Sequence, residues 1–182
     1  MTLTPHRKFG LALAGIVFLL DRALKLVMTR VLDLERVRLI ELIPIFDLRW
    51  TENPGVSLGL FAAESAAGKL ALIAVTGIIA TGVLIWMLRE TEKWDIHGLA
   101  LVLGGAIGNI WDRVSRGYVI DFADLHFGEF RPFMIFNLAD AAITFGVLIL
   151  LARALLLREK PDDSAGDAAH ETDGTASATE KA

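Results

Sequence analysis

Four apolar stretches divide the chain, and only Leu70 to Leu88 is free of Asp, Glu, Lys and Arg over a length that crosses a bilayer. Phe9 to Leu20 is apolar and then runs through Asp21, Arg22 and Lys25 before ending near Thr29. Ile96 to Trp111 carries no acid, Lys or Arg and continues into Asp112 and Arg113. Pro132 to Ala152 holds a single charge, Asp140. A transmembrane helix takes about 20 mainly apolar residues, so the pattern predicts four spans, at 9–29, 68–88, 96–113 and 134–157. Between the first two, in an outer loop at 30–66, Val37 to Trp50 is β-branched, aromatic and partly alternating, which predicts short strands. Asn53-Pro54-Gly55 then predicts a turn. The expected fold is an all-α membrane protein of four transmembrane helices with a small extracytoplasmic β-rich loop region.

Composition narrows the class. Of 182 residues, 54% are hydrophobic and 22% charged, and the mean hydropathy of +0.52 argues against a water-soluble globule. The formal charge of −4 offers no basic excess for a nucleic-acid backbone. With no Cys there is no disulfide framework, thiolate metal cage or cysteine nucleophile. Residues 161–182 contain no large apolar side chain and are expected to be a disordered acidic tail, leaving 1–160 as the membrane domain. The triplet Ala12-Leu13-Ala14 falls inside the first apolar stretch, where a signal-peptide cleavage site does not belong, so the first span is read as uncleaved. Four spans put both termini on one side. Basic residues are denser at the span ends on that side (Arg7, Lys8, Arg89, Lys93, Arg158, Lys160), which favours cytoplasmic termini.

Ionisable groups inside a span are costly, roughly 2.5–3.5 kcal/mol at the centre on insertion scales, so each one asks for a reason. Asp21 and Lys25 stand four apart on the first helix, where they form a self-neutralising pair. Gly104 and Gly108, with Gly105, read as close helix packing. Asn109, Asp112 and Arg113 form one polar stripe at the outer end of the third helix; an interfacial ion pair would account for Asp112 and Arg113 but not for Asn109. Asp121 is flanked by Ile120 and Phe122, unlike an ordinary solvated loop acid, whereas Asp124 reads as one. Asn137 suits a helix N-cap with Asp140 in the first turn, yet the apolar run Phe133 to Phe136 before it argues that Asp140 lies below the interface.

The third and fourth spans are joined at their outer ends, so Asp121 and Asp140 can converge. Two carboxylates in a poorly hydrated site share a proton, and in that state one activates a water while the other donates a proton. A proton relay through Asp21, Lys25, Asp112 and Asp140 in a small proton-coupled transporter subunit is the alternative. The uncharged inner halves Val83 to Leu88 and Val147 to Ala152 would interrupt it.

Five blocks resemble those of lipoprotein signal peptidase (signal peptidase II): Asp21 to Lys25, Thr51 to Ser57, Gly104 to Arg113, Val119 to Phe122, and Phe136 to Asp140. The resemblance covers about residues 9–157. It implies a bacterial inner-membrane aspartic endopeptidase that cuts diacylglyceryl-modified prolipoproteins before the lipidated cysteine. Both termini would be cytoplasmic and the active site near the outer leaflet. Asp121 and Asp140 fall on the catalytic dyad, Asn53, Asn109, Arg113 and Asn137 on substrate-binding positions, and Asp21, Lys25, Gly105, Gly108 and Asp112 on supporting ones. Arg22 departs from the Gln common there. No metal or organic cofactor is implied. The expected partners are the prolipoprotein and membrane lipids, and the chain is expected to act as a monomer.

Overall fold

The structure is a computed structural model that describes residues 3–55 and 66–156. The first helix, α1 (Pro5–Leu26), opens on Thr4, whose Oγ1 accepts the Arg7 N–H, with Pro5 in the first turn, and runs on into a π-helical turn at Val27–Val31. A one-turn helix α2 (Leu34–Val37) leads into strands β1 (Leu39–Ile43) and β2 (Phe46–Asn53). Helices α3 (Ala66–Arg89) and α4 (Lys93–Arg116) follow, then strand β3 (Val119–Leu125) and helix α5 (Leu138–Leu156). The expected tail at 161–182 and part of the outer loop, 56–65, lie outside the described residues.

Helix α4 is central and packs against α1, α3 and α5. On α1 the buried residues Gly10, Ala14, Val17, Asp21 and Lys25 recur at helical spacing and form one stripe toward α4. Gly104 makes this approach possible: a Cβ there would sit 2.6 Å from the Ala14 carbonyl oxygen. Gly105 serves the opposite face, where a Cβ would run into the Ala139 carbonyl oxygen on α5. The bundle core gathers Ala14, Ala80, Met87, Ile96, Leu99, Ala100 and Leu103. Helices α3 and α5 turn large apolar residues outward instead, including Ile78, Leu70, Phe145 and Leu156. Both are long and apolar enough to cross a membrane. The polar stripes on α1 and α4 make those two helices less apolar, so the four expected spans appear among the described residues as four long helices, two of which are apolar enough to cross a membrane.

The sheet is antiparallel in the order β1-β2-β3. Its third strand comes from beyond α4, so the β-rich region is wider than the predicted loop 30–66. Gly117, at φ 83°, ends α4 in the left-handed conformation that lets the chain turn into β3. Met28, Leu34, Leu48, Trp50, Ile120, Phe122 and Ala123 form a second core beneath the sheet. The fourth helix begins four residues later than its predicted start at 134. Phe136 bonds Ala123 and extends the sheet instead of coiling: its N–H reaches the Ala123 carbonyl at 3.1 Å, and its own carbonyl accepts the Ala123 N–H at 2.8 Å.

Candidate active site

Two strands and two helix ends meet at one point. In the β2–β3 register Thr51 faces Asp121 and Asn53 faces Val119, so Asn53 and Asp121 are diagonal neighbours on one face. The Asn53 Nδ2 donates to Asp121 Oδ2 at 3.0 Å, and its Oδ1 accepts the Gly55 N–H at 2.9 Å, holding the side chain in a local turn. The second Asp121 oxygen, Oδ1, accepts from Asn137 Nδ2 at 2.6 Å. Asn137 is the N-cap of α5, as one reading of its sequence expected. Its Oδ1 accepts the Asp140 N–H at 3.0 Å, while Asp140 Oδ2 accepts the Asn137 N–H at 3.1 Å, a reciprocal capping box. From α4, Asn109 Nδ2 donates to Asp140 Oδ1 at 2.7 Å, and Asn109 Oδ1 accepts from Asn137 Nδ2 at 3.3 Å.

Asp121 and Asp140 are therefore joined through asparagine amides, with every carboxylate oxygen accepting a hydrogen bond. Asp121 is buried, and burial first and the negative Asp140 second push its carboxyl up to about 6, against the opposing bonds from Asn53 and Asn137. Arg113 interacts electrostatically with both aspartates, and its buried Nε has no hydrogen-bond partner among the described residues. The aspartates lie at one side of a cleft of about 610 Å³. One wall is Thr51 to Pro54, the other Arg131 and Phe133 to Phe136. Among the described residues no cluster of His, Cys, Asp or Glu is arranged to hold a metal ion.

The supporting residues sit directly behind. Lys25 Nζ lies 2.9 Å from Asp21 Oδ2 and 2.7 Å from Asp112 Oδ2, all three side chains fully buried. Asp112 Oδ1 is also paired with Arg22, which the sequence marked only as a departure from the family's common Gln. A Cβ on Gly108 would stand 2.9 Å from Asp21 Oδ2, so this glycine leaves room for the carboxylate.

One expectation is overturned. Asp124 is no solvated loop acid: its side chain is fully buried and bridges Arg49 Nε at 2.8 Å and Arg131 Nε at 3.3 Å. Burial raises its pKa, but the bonds from the two guanidinium groups outweigh this and hold the carboxyl below its usual value. Period-two alternation hides the point, because β3 is buried on both faces and no polar side is left to mark.

The fold is a helical bundle with a small sheet over one end and two linked carboxylates beneath it. Two solved structures, each described as a bacterial membrane enzyme studied by the in meso method, share this fold. One matches with a TM-score of 0.70 at 24% identity over 84% of this chain and 95% of its own. The other matches with a TM-score of 0.68 at 22% identity over 84% and 93%. The lipoprotein signal peptidase of Sphingopyxis alaskensis is 57% identical over 86% of this chain and 91% of its own length. That of Rhizorhabdus wittichii is 52% identical over 85% and 90%. The family described as signal peptidase (SPase) II matches residues 13–156. The chain belongs to this family of lipoprotein signal peptidases and is a peptidase.

Proposed function

We propose that the chain is an aspartic endopeptidase that removes signal peptides from diacylglyceryl-modified prolipoproteins, cutting before the lipidated cysteine. The observation that carries this reading is Asn137, which donates to Asp121 with its side chain and clasps Asp140 in a capping box, linking two carboxylates at one cleft. A water between the two carboxyls attacks the scissile carbonyl. The ionised carboxylate takes the water's proton, and the protonated partner polarises the carbonyl and then protonates the leaving amine. Burial and the Asp140 charge, which raise the Asp121 carboxyl to about 6, support a proton held at this site under mildly acidic conditions. Asn53 and Arg113 supply hydrogen bonds to the peptide backbone, among them one from the Arg113 Nε, which has no partner among the described residues.

All four long helices cross the inner membrane in this reading, with both termini cytoplasmic and the cleft near the outer leaflet. The exposed apolar faces of α3 and α5 support lipid contact, and the lipidated cysteine enters from that side. Residues 161–182 are dispensable for the chemistry in this reading.

The test is cleavage of a diacylglyceryl-modified prolipoprotein by purified protein carrying Asp121→Asn or Asp140→Asn. Each variant alone should abolish turnover, and the double variant should be scarcely worse, because the carboxyls act as a unit. Substantial cleavage by either single variant refutes the aspartic mechanism and returns the buried acids to a proton relay.

A further inference from the structure

Four charges lie behind the two aspartates and touch neither of them. Asp21, Lys25 and Asp112 are fully out of contact with solvent, and Arg22 is partly exposed. Taking such groups from water is expensive, and apolar residues of similar size are often an equal or better solution for stability alone. The cluster therefore calls for a second role.

Its carboxylates show one. Besides the Lys25 ammonium, each accepts a backbone N–H, and the two amides are not arbitrary. Asp112 Oδ2 accepts from Ile120 N at 3.4 Å, and Asp21 Oδ1 accepts from Ala139 N at 3.3 Å. Ile120 immediately precedes Asp121, and Ala139 immediately precedes Asp140. The Ala139 amide belongs to the first turn of α5, where N–H groups have no intrahelical partner, so an external acceptor is required there. The Ile120 amide belongs to the second residue of β3, just beyond the end of α4.

Lys25 sits between the two carboxylates and ties them together, so the spacing of Ile120 and Ala139 is referred to a single ammonium group. We propose that Asp21 and Asp112, clamped on Lys25 and closed on the exposed side by Arg22, are positioning residues that set the placement of Asp140 and Asp121 through the preceding backbone amides. Two positive and two negative charges leave the cluster neutral, so it holds the backbone without adding net charge beneath the aspartates. Gly108 belongs to the same device, since a side chain there would displace the Asp21 carboxylate. The proposal rests on the chemistry assigned to Asp121 and Asp140 above. A misplacement of about 1 Å at such a pair costs on the order of a hundredfold in rate.

The experiment compares two substitutions at Asp112 in the full-length enzyme. Asp112→Asn retains an oxygen that accepts the Ile120 N–H; Asp112→Leu is close in size and has none. In both, Lys25 still has Asp21, and Arg22, which loses its partner and leaves the cluster one positive charge in excess, is partly exposed; the two variants share this change and differ only in the acceptor. With a diacylglyceryl-modified prolipoprotein as substrate, Asp112→Leu should lose at least about tenfold in kcat with KM within about twofold of wild type. Asp112→Asn should stay within about threefold of wild type in both constants. If the leucine variant does not accumulate as folded protein, Asp112→Ser takes its place, its hydroxyl being too short to reach the amide. Equal losses in the asparagine variant and its acceptor-free counterpart, a loss carried by KM, or wild-type kcat without an acceptor would each overturn the proposal. Asp121→Asn and Asp140→Asn run beside them separate the two levels. If those variants stay active, the aspartic reading fails; if they are dead while Asp112→Leu is fully active, only the positioning role fails.

Discussion

Asn137 donates its side-chain amide to Asp121 Oδ1 at 2.6 Å, across 16 residues of chain, while the other side-chain atom caps the helix that carries Asp140. One residue thereby does two jobs that substitution can separate. Asn137→Ser keeps a capping oxygen and loses the donor to Asp121; Asn137→Ala loses both. The serine variant should melt close to wild type and turn over at least tenfold more slowly, by about the cost of one lost charge-directed hydrogen bond. The alanine variant should lose about 1 kcal/mol of stability as well. Wild-type turnover in Asn137→Ser would remove Asn137 from the reaction.

Asp121 should make stability depend on pH in the opposite sense to an ordinary paired carboxylate. Its value in the fold is about 6 against 3.8 for the free group, so between these limits the folded chain binds the extra proton. Stability contributed by this site is full below the lower value and lost as pH rises through the upper one. Asp121→Asn should therefore raise the melting temperature above pH 6, by a gain on the order of 1 kcal/mol, and leave it nearly unchanged at pH 4. Thermal unfolding of both proteins across that range reads the difference directly; identical curves would refute it.

Asp124 behaves in the ordinary sense. Held below its usual value by Arg49 and Arg131, it contributes stability above the unfolded value of 3.8 that is lost as pH falls through the lowered one. Asp124→Asn at pH 7 should cost about 1–3 kcal/mol. Because Arg131 also lines the cleft, KM should rise with it. Unchanged melting and unchanged KM would restore Asp124 to a solvated acid.

Gly105 tests the contact of α4 with α5 without touching a polar group. A Cβ there meets the Ala139 carbonyl and the Ile143 side chain, neither of which can move without displacing Asp140. Gly105→Val should overpack this contact by about 1–3 kcal/mol and reduce turnover. Gly77→Val on α3, where a Cβ meets nothing, is the control and should do neither.

Orientation is open to thiol labelling, since the chain has no Cys. Glu129 and Thr91 are both exposed, one in the turn after β3 and one between α3 and α4. An impermeant reagent should label Glu129→Cys on intact cells and spare Thr91→Cys. The reverse pattern would invert the proposed topology.

The apolar pattern alone marked the four segments that form long helices among the described residues, because segment hydropathy is a local quantity. It also singled out Asp21, Lys25, Asn109, Asp112, Asp121 and Asp140, since a polar side chain in an apolar run is conspicuous whatever surrounds it. Only the tertiary structure decided what each of them meets. Hydrogen bonds and ion pairs depend on distances between segments far apart in the chain, as between Asn53 and Asp121, Asn109 and Asp140, or Arg22 and Asp112. The burial of Asp124 was equally illegible, because it comes from two arginines, one on another strand and one in a later loop. The start of α5 was settled the same way: Phe133 to Phe136 is as apolar as a helix, but Ala123 holds Phe136 in the sheet, and this tertiary pairing overrides the local pattern.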